Sequence, residues 1–292
     1  MDRQSTRKPP PVTLPAEIDL TPRFAALNLP RRSQGKRPTC SVFTLAHALD
    51  YALAVASGTG VPISVEYLNW SARQGGDGTD DGGFFSEIWS GYEAFGWCPE
   101  TTFPYLAEFD SKRAPDAELQ RAAREARLPL RLEWIKEWDP QTGVTPEQLA
   151  QTRAILAGGN PVCGGLRWPR DPIWTGDVLQ VCPPEAVFDG HSVLLVGYIT
   201  DPALPGGGAF RIRNSNQPAT GFLPYAYVSA YLNDAAWIAP GFAKEHPARN
   251  PPVLGAVRWK AKSSSPWAGT RRRHRPAILV HPYLRSFAFI CG

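Results

Sequence analysis

The chain has 292 residues, 43% of them hydrophobic, 20% charged and 11% aromatic, a composition that builds a sizeable core and excludes a disordered or fibrous protein. Its formal charge of +4 divides unevenly, with +9 on residues 241–292 and −5 on residues 1–240. No continuous apolar run approaches the roughly 18 residues that cross a bilayer, and five scattered cysteines (40, 98, 163, 182 and 291) without a CxxC pair argue against a disulfide framework or a zinc site.

Residues 1–16 read as a Pro-rich leader expected to be disordered; charge without a following apolar stretch predicts no secretory signal. Together with the cysteine pattern this predicts a reducing, cytoplasmic setting. Residues 17–39 lack periodicity and predict an extended segment over the surface. Thr39 then offers an N-cap with Pro38 just outside it, and Val42, Phe43, Ala46, Leu49 and Leu53 recur at helical spacing after Cys40. That helix ends near "SGTGVP". "SVEYLNW" predicts a second, shorter helix, and the glycine-rich "GGDGTDDGG" leads into a third, amphipathic one. Residues 111–130 are charged and helical in pattern, and "RLEWIKEW" alternates like a strand. "TPEQLAQTRAILAGGNP" carries Thr145 as N-cap, Pro146 at the first helical position and Gln148 at the capping-box position. "PVCGGLRW", "HSVLLVGYI" and "AFRIRNSN" then predict strands. Helices first and strands later indicate an α+β fold, with no internal repeat. The basic, Pro- and Arg-rich tail over 239–292 has too few aromatics for a stacking platform, so nucleic-acid binding by it is not expected.

Cysteine attacks as its thiolate, and the free thiol titrates near pH ~8.5. Cys40 starts a predicted helix, where the aligned peptide dipoles favour negative charge; buried structural cysteine is the competing reading. His47 lies seven residues along the same helix, roughly 10 Å away at 1.5 Å per residue, and is expected to be structural. His191 opens an apolar strand after the turn residues "FDG", and Asn214 stands at a strand end where its amide could orient an imidazole.

These segments, in this order, resemble the papain-like (C1) cysteine peptidases, especially their bacterial, short-leader members. The resemblance rests on Gln34 six residues before Cys40, the paired glycines of "DDGGFF", the helix "TPEQLAQTRAILAGGNPV", and the segments "FDGHSVLLVGY" and "FRIRNSN" over residues 17–238. It implies a two-lobe fold, with a helical lobe over about 17–130, an antiparallel β-barrel lobe over about 131–238, and a cleft between them. It implies Cys40 as nucleophile, His191 as its base, Asn214 holding the ring and Gln34 in the oxyanion hole. Gly82 and Gly83 would meet a peptide strand, Phe84 and Phe85 would line an apolar wall, and Asp189 would add an acidic element. The expected substrate is a peptide or protein, with no cofactor, metal or membrane span. Three departures stand out. Arg37 replaces one half-cystine common in secreted members, Ser41 replaces an aromatic behind the nucleophile, and Asn216 replaces the tryptophan that shields the Asn–His bond. These keep two alternatives open: a papain-fold binding protein without turnover, and a cell-wall amidase or acyl transferase.

Overall fold

"VLLV" at residues 193–196 is apolar on both faces, which only a strand covered on both sides tolerates. In the computed structural model, which describes residues 13–75 and 80–240, this run lies in β6 (Val187–Thr200), the central strand of the sheet. β3 (Val162–Pro169) and β7 (Gly208–Arg213) flank it antiparallel, and β1 (Glu17–Asp19) pairs with its far end. The full path runs β2 (Leu130–Lys136), β9 (Leu232–Pro240), β3, β6, β7, β8 (Thr220–Pro224), β5 (Val178–Leu179) and β4 (Trp174–Thr175). It is an open nine-stranded sheet. The expected closed barrel is therefore corrected: β2 and β4 end the path without pairing to each other. Gly197 lets β1 lie close, because a Cβ there would collide with the Ile18 carbonyl oxygen.

The helices precede most of the sheet. They are α1 (Thr21–Ala26), α2 (Cys40–Ser57), α3 (Val65–Ala72), α4 (Phe85–Phe95), α5 (Ala117–Glu125), α6 (Pro146–Ala157) and α7 (Tyr225–Tyr231). Segment 17–39, expected to be only extended, holds both β1 and α1, and the helix expected over 111–130 shortens to α5. At α6 the capping box forms as its sequence predicts, Thr145 and Gln148 bonding each other's backbone N–H. α2 is not amphipathic. Fourteen of its 18 residues are buried, which marks a helix packed on every side. It alone among the described helices has the length and mean hydropathy of a membrane span, but His47 and Asp50 interrupt its apolar run and its side chains are spent on the core. Asp50, buried within α2, is matched by Arg32 at 2.6 Å and by the Ile63 N–H at 2.7 Å.

A second buried acid has no ion pair at such close range among the described residues. Asp234 on β9 lies across from Gly165 on β3, and burial pushes its carboxyl up to about 7, with Lys136 and the Gly165 N–H opposing. An acid whose folded value lies above its unfolded value of 3.8 stabilises the protein while protonated, and that contribution is lost as pH rises through about 7. Asp234→Asn is therefore expected to raise the melting temperature at pH 8 and to change it little at pH 4, as thermal denaturation at the two pH values would show.

Candidate active site

Cys40 occupies the first turn of α2, where backbone N–H groups have no intrahelical acceptor. Thr39 is the N-cap residue, as its position predicts, but its hydroxyl makes no cap bond. It meets the Tyr105 hydroxyl at 2.7 Å, and Tyr105 in turn donates to the Gln34 carbonyl at 3.0 Å. Gln34 is buried and doubly tied. Its Nε2 donates to the Arg37 carbonyl at 2.9 Å, and its Oε1 accepts from the Ser215 hydroxyl at 2.8 Å. The Gln34 N–H donates to the Ser215 carbonyl at 3.0 Å, so the turn before α2 is stitched to the chain leaving β7.

Asn214 is the residue before Ser215. Its Oδ1 lies 2.9 Å from His191 Nε2 and also accepts the Asn216 N–H at 3.1 Å; its Nδ2 donates to the Pro218 carbonyl at 3.0 Å. A side-chain amide with both ends engaged cannot rotate freely, so its oxygen holds the imidazole in one orientation. A continuous line of contacts thus runs from the turn before α2 through Gln34, Ser215 and Asn214 to His191.

His191 does not open its strand. It sits four residues inside β6, opposite Leu166 of β3, because pairing with β3 extends the strand back to Val187. Burial pushes its imidazole down to about 4, with the Asn214 bond opposing. The ring is therefore neutral at pH 7 and able to accept a proton. Trp168, three residues past Gly165 on β3, lies edge-on to it with centroids 4.8 Å apart, and Trp174 leans on Trp168 at 6.4 Å. Position 216, where the resemblance implies a shielding tryptophan, holds Asn216; Trp168 packs against His191 from the neighbouring strand. Sequence reading missed it, though the strand pairing of "PVCGGLRW" with "HSVLLVGYI" carries the signal.

Cys98, Cys163 and Cys182 carry free thiols. Nucleophilic chemistry at Cys40 requires its sulfur in the reduced form. His47 is buried with no hydrogen-bond partner for Nε2, and burial, with Arg32, Arg213 and Arg31, lowers it well below its ordinary value. It is a core residue, as expected.

The glycine loop adjoins the same turn. Gly82 has φ +111°, and a Cβ there would collide with the Pro38 carbonyl oxygen. Gly83 follows, and Phe84 packs edge-on against Trp138 at 5.2 Å. Phe85 is 1% exposed within the hydrophobic core, so of the two rings only Phe84 is placed to line a surface. Asp189 belongs to β6, and its side chain lies outside what is described, as do residues 1–12 of the 1–16 leader, loop residues 76–79 and residues 241–292 of the 239–292 tail.

The fold is similar to that of solved cysteine proteases. Xylellain, a cysteine protease from Xylella fastidiosa, superposes with a TM-score of 0.60 at 22% identity over 78% of this chain and 87% of its own. Digestive procathepsin L 3 of Tenebrio molitor larval midgut gives 0.53 at 20% identity over 82% and 73%. The proform of the ragweed pollen cysteine protease Amb a 11 gives 0.54 at 20% identity over 80% and 69%. No protein-family model matches the chain, and no curated protein does. At these identities the likeness establishes the architecture.

Proposed function

We propose that the reduced protein is a cysteine-dependent endopeptidase of the papain-like C1 family, in its bacterial form, with the substrate lying in a cleft between a helical and a β lobe. The observation that carries the reading is the tie from Arg37, three residues before α2, through Gln34 and Ser215 to Asn214, and from Asn214 to His191 at 2.9 Å. The shared architecture with three cysteine proteases supports it.

The mechanism assigns each group one task. His191 takes the Cys40 proton, and the thiolate, favoured by the helix N-terminus, adds to the scissile carbonyl carbon. The resulting oxyanion is held by the Cys40 N–H and by a Gln34 Nε2 hydrogen. A primary amide carries two such hydrogens, and Arg37 takes one. His191 gives its proton to the leaving amine as the C–N bond breaks, leaving a thioester. His191 then deprotonates water, whose attack releases the acid and regenerates the thiolate. Gly82 and Gly83 offer backbone to an extended peptide, with Phe84 at the rim.

Ser41 and Asn216, where the resemblance expects aromatic rings, favour a second reading, a papain-fold binding protein without turnover. Incubating a peptide library with the reduced protein and with Cys40→Ala separates the two. Cys40-dependent new termini support the peptidase, products ligated to an added amine identify acyl transfer, and no Cys40-dependent product overturns both enzymatic forms. The tryptophan cover adds a graded expectation. Trp168→Ala exposes the Asn214–His191 bond to water, which should lower kcat about tenfold, ~1.4 kcal/mol in the barrier, with KM nearly unchanged in steady-state assays.

A further inference from the structure

Arg37 stands three residues before Cys40, and its side chain is 4% exposed. A buried guanidinium requires partners for all five of its N–H donors, and all five are supplied. Nε and Nη2 meet Asp81 at 2.9 and 2.8 Å, Nη1 and Nη2 meet Glu66 at 2.6 and 3.2 Å, and Nη1 also donates to the Leu106 carbonyl at 2.9 Å. The plane packs on the Tyr105 ring at 4.3 Å, the same tyrosine that bonds Thr39 and Gln34. Both carboxylates are thus held in fork geometry by one cation.

The position of Asp81 gives the cluster its consequence. It directly precedes Gly82, whose N–H donates to Asn69 Oδ1 at 3.0 Å, while Asn69 Nδ2 donates to Asp81 Oδ1 at 2.8 Å. Asn69 and Glu66 project from one face of α3, three residues apart. The glycine loop is therefore fixed at its root by charge, against the turn that carries the nucleophile. Gly82 closes the contact from the other side by lying against the Pro38 carbonyl.

We propose that Arg37, Asp81, Glu66 and Asn69 form an ionic clamp that sets the position of the Gly82–Gly83 loop relative to Cys40, and that Asp81 is a positioning residue for peptide binding. The inference rests on the peptidase reading. Asp81 touches no reacting atom, so its contribution falls on the loop's readiness to pair with an extended substrate. Chemistry on a substrate too short to reach that loop does not feel it.

The test uses the full chain, reduced with dithiothreitol, and two substrates: a long peptide amide and a single-residue ester. Asp81→Asn keeps the acceptor for Asn69 but removes the charge. It should raise KM for the long peptide about tenfold, with kcat within about twofold, KM for the ester unchanged and iodoacetamide labelling of Cys40 at the parental rate. Asp81→Glu, which restores the charge, should recover part of the loss. Arg37→Lys, limited to a single point charge, should reproduce the KM effect if Asp81→Asn fails to fold. An unchanged long-peptide KM, or an equal rise for both substrates, overturns the clamp alone. No Cys40-dependent cleavage by the reduced parent protein overturns the peptidase reading and the clamp with it.

Discussion

Replacing Cys40 with alanine is expected to lower kcat/KM for peptide hydrolysis by at least about 10³-fold, since the bond-forming atom is gone and only binding and the oxyanion donors remain. The fold should survive. Alanine suits the first turn of a helix, and the residue's backbone places it in α2 whatever the side chain. Circular dichroism and thermal melting would verify the fold, and progress curves on a cleaved peptide would give the rate. The reduced parent protein is the required comparison, because the thiolate is the attacking form. Full biological activity in Cys40→Ala would select the binding-protein reading.

Gln34→Ala is expected to reduce kcat by about 10²- to 10³-fold, the magnitude seen when a preorganised oxyanion donor is deleted. KM should move less, because the donor acts where charge develops rather than on the ground-state carbonyl. Gln34 also bonds the Arg37 carbonyl and the Ser215 hydroxyl, so alanine removes structural ties together with the donor. Gln34→Glu keeps an acceptor for Ser215 but loses the bond to the Arg37 carbonyl and places negative charge beside a developing oxyanion, so it should be at least as slow as alanine. Wild-type kcat in Gln34→Glu would remove Gln34 from the mechanism.

Local signals in the sequence carried far. Thr145, Pro146 and Gln148 define the start of α6 because capping depends on residues within one turn. The apolar spacing after Cys40 gives α2, although the helix proves buried all round, since spacing counts apolar positions and cannot see that Thr44, His47 and Asp50 also face neighbours. Gln34, His191 and Asn214 stand out in the sequence, and the structure bonds Asn214 to His191 and Gln34 to Ser215, the residue after Asn214. What escaped were relationships across the chain. His191 lies inside β6 because pairing with β3 decides where a strand begins, and that pairing is nonlocal. Trp168 reaches the histidine through the same pairing. Arg37 was read as a missing half-cystine, whereas its meaning lies in Asp81 and Glu66, respectively 44 and 29 residues away. Phe84 and Phe85 look alike in sequence, yet adjacent residues at a helix start point in different directions, and only one remains near the surface.

Activation of the Cys40 sulfur by His191 is tested most directly by alkylation of the reduced protein with iodoacetamide at pH 6 to 7, followed by peptide mapping. Cys182 is the proper internal comparison, being the one partly exposed free thiol among the described residues; burial pushes its thiol up, as it does those of the buried Cys98 and Cys163. Labelling of Cys40 far ahead of Cys182, with the advantage lost in His191→Ala, is the predicted result. Equal rates at the two thiols, or a Cys40 rate indifferent to His191, would contradict it.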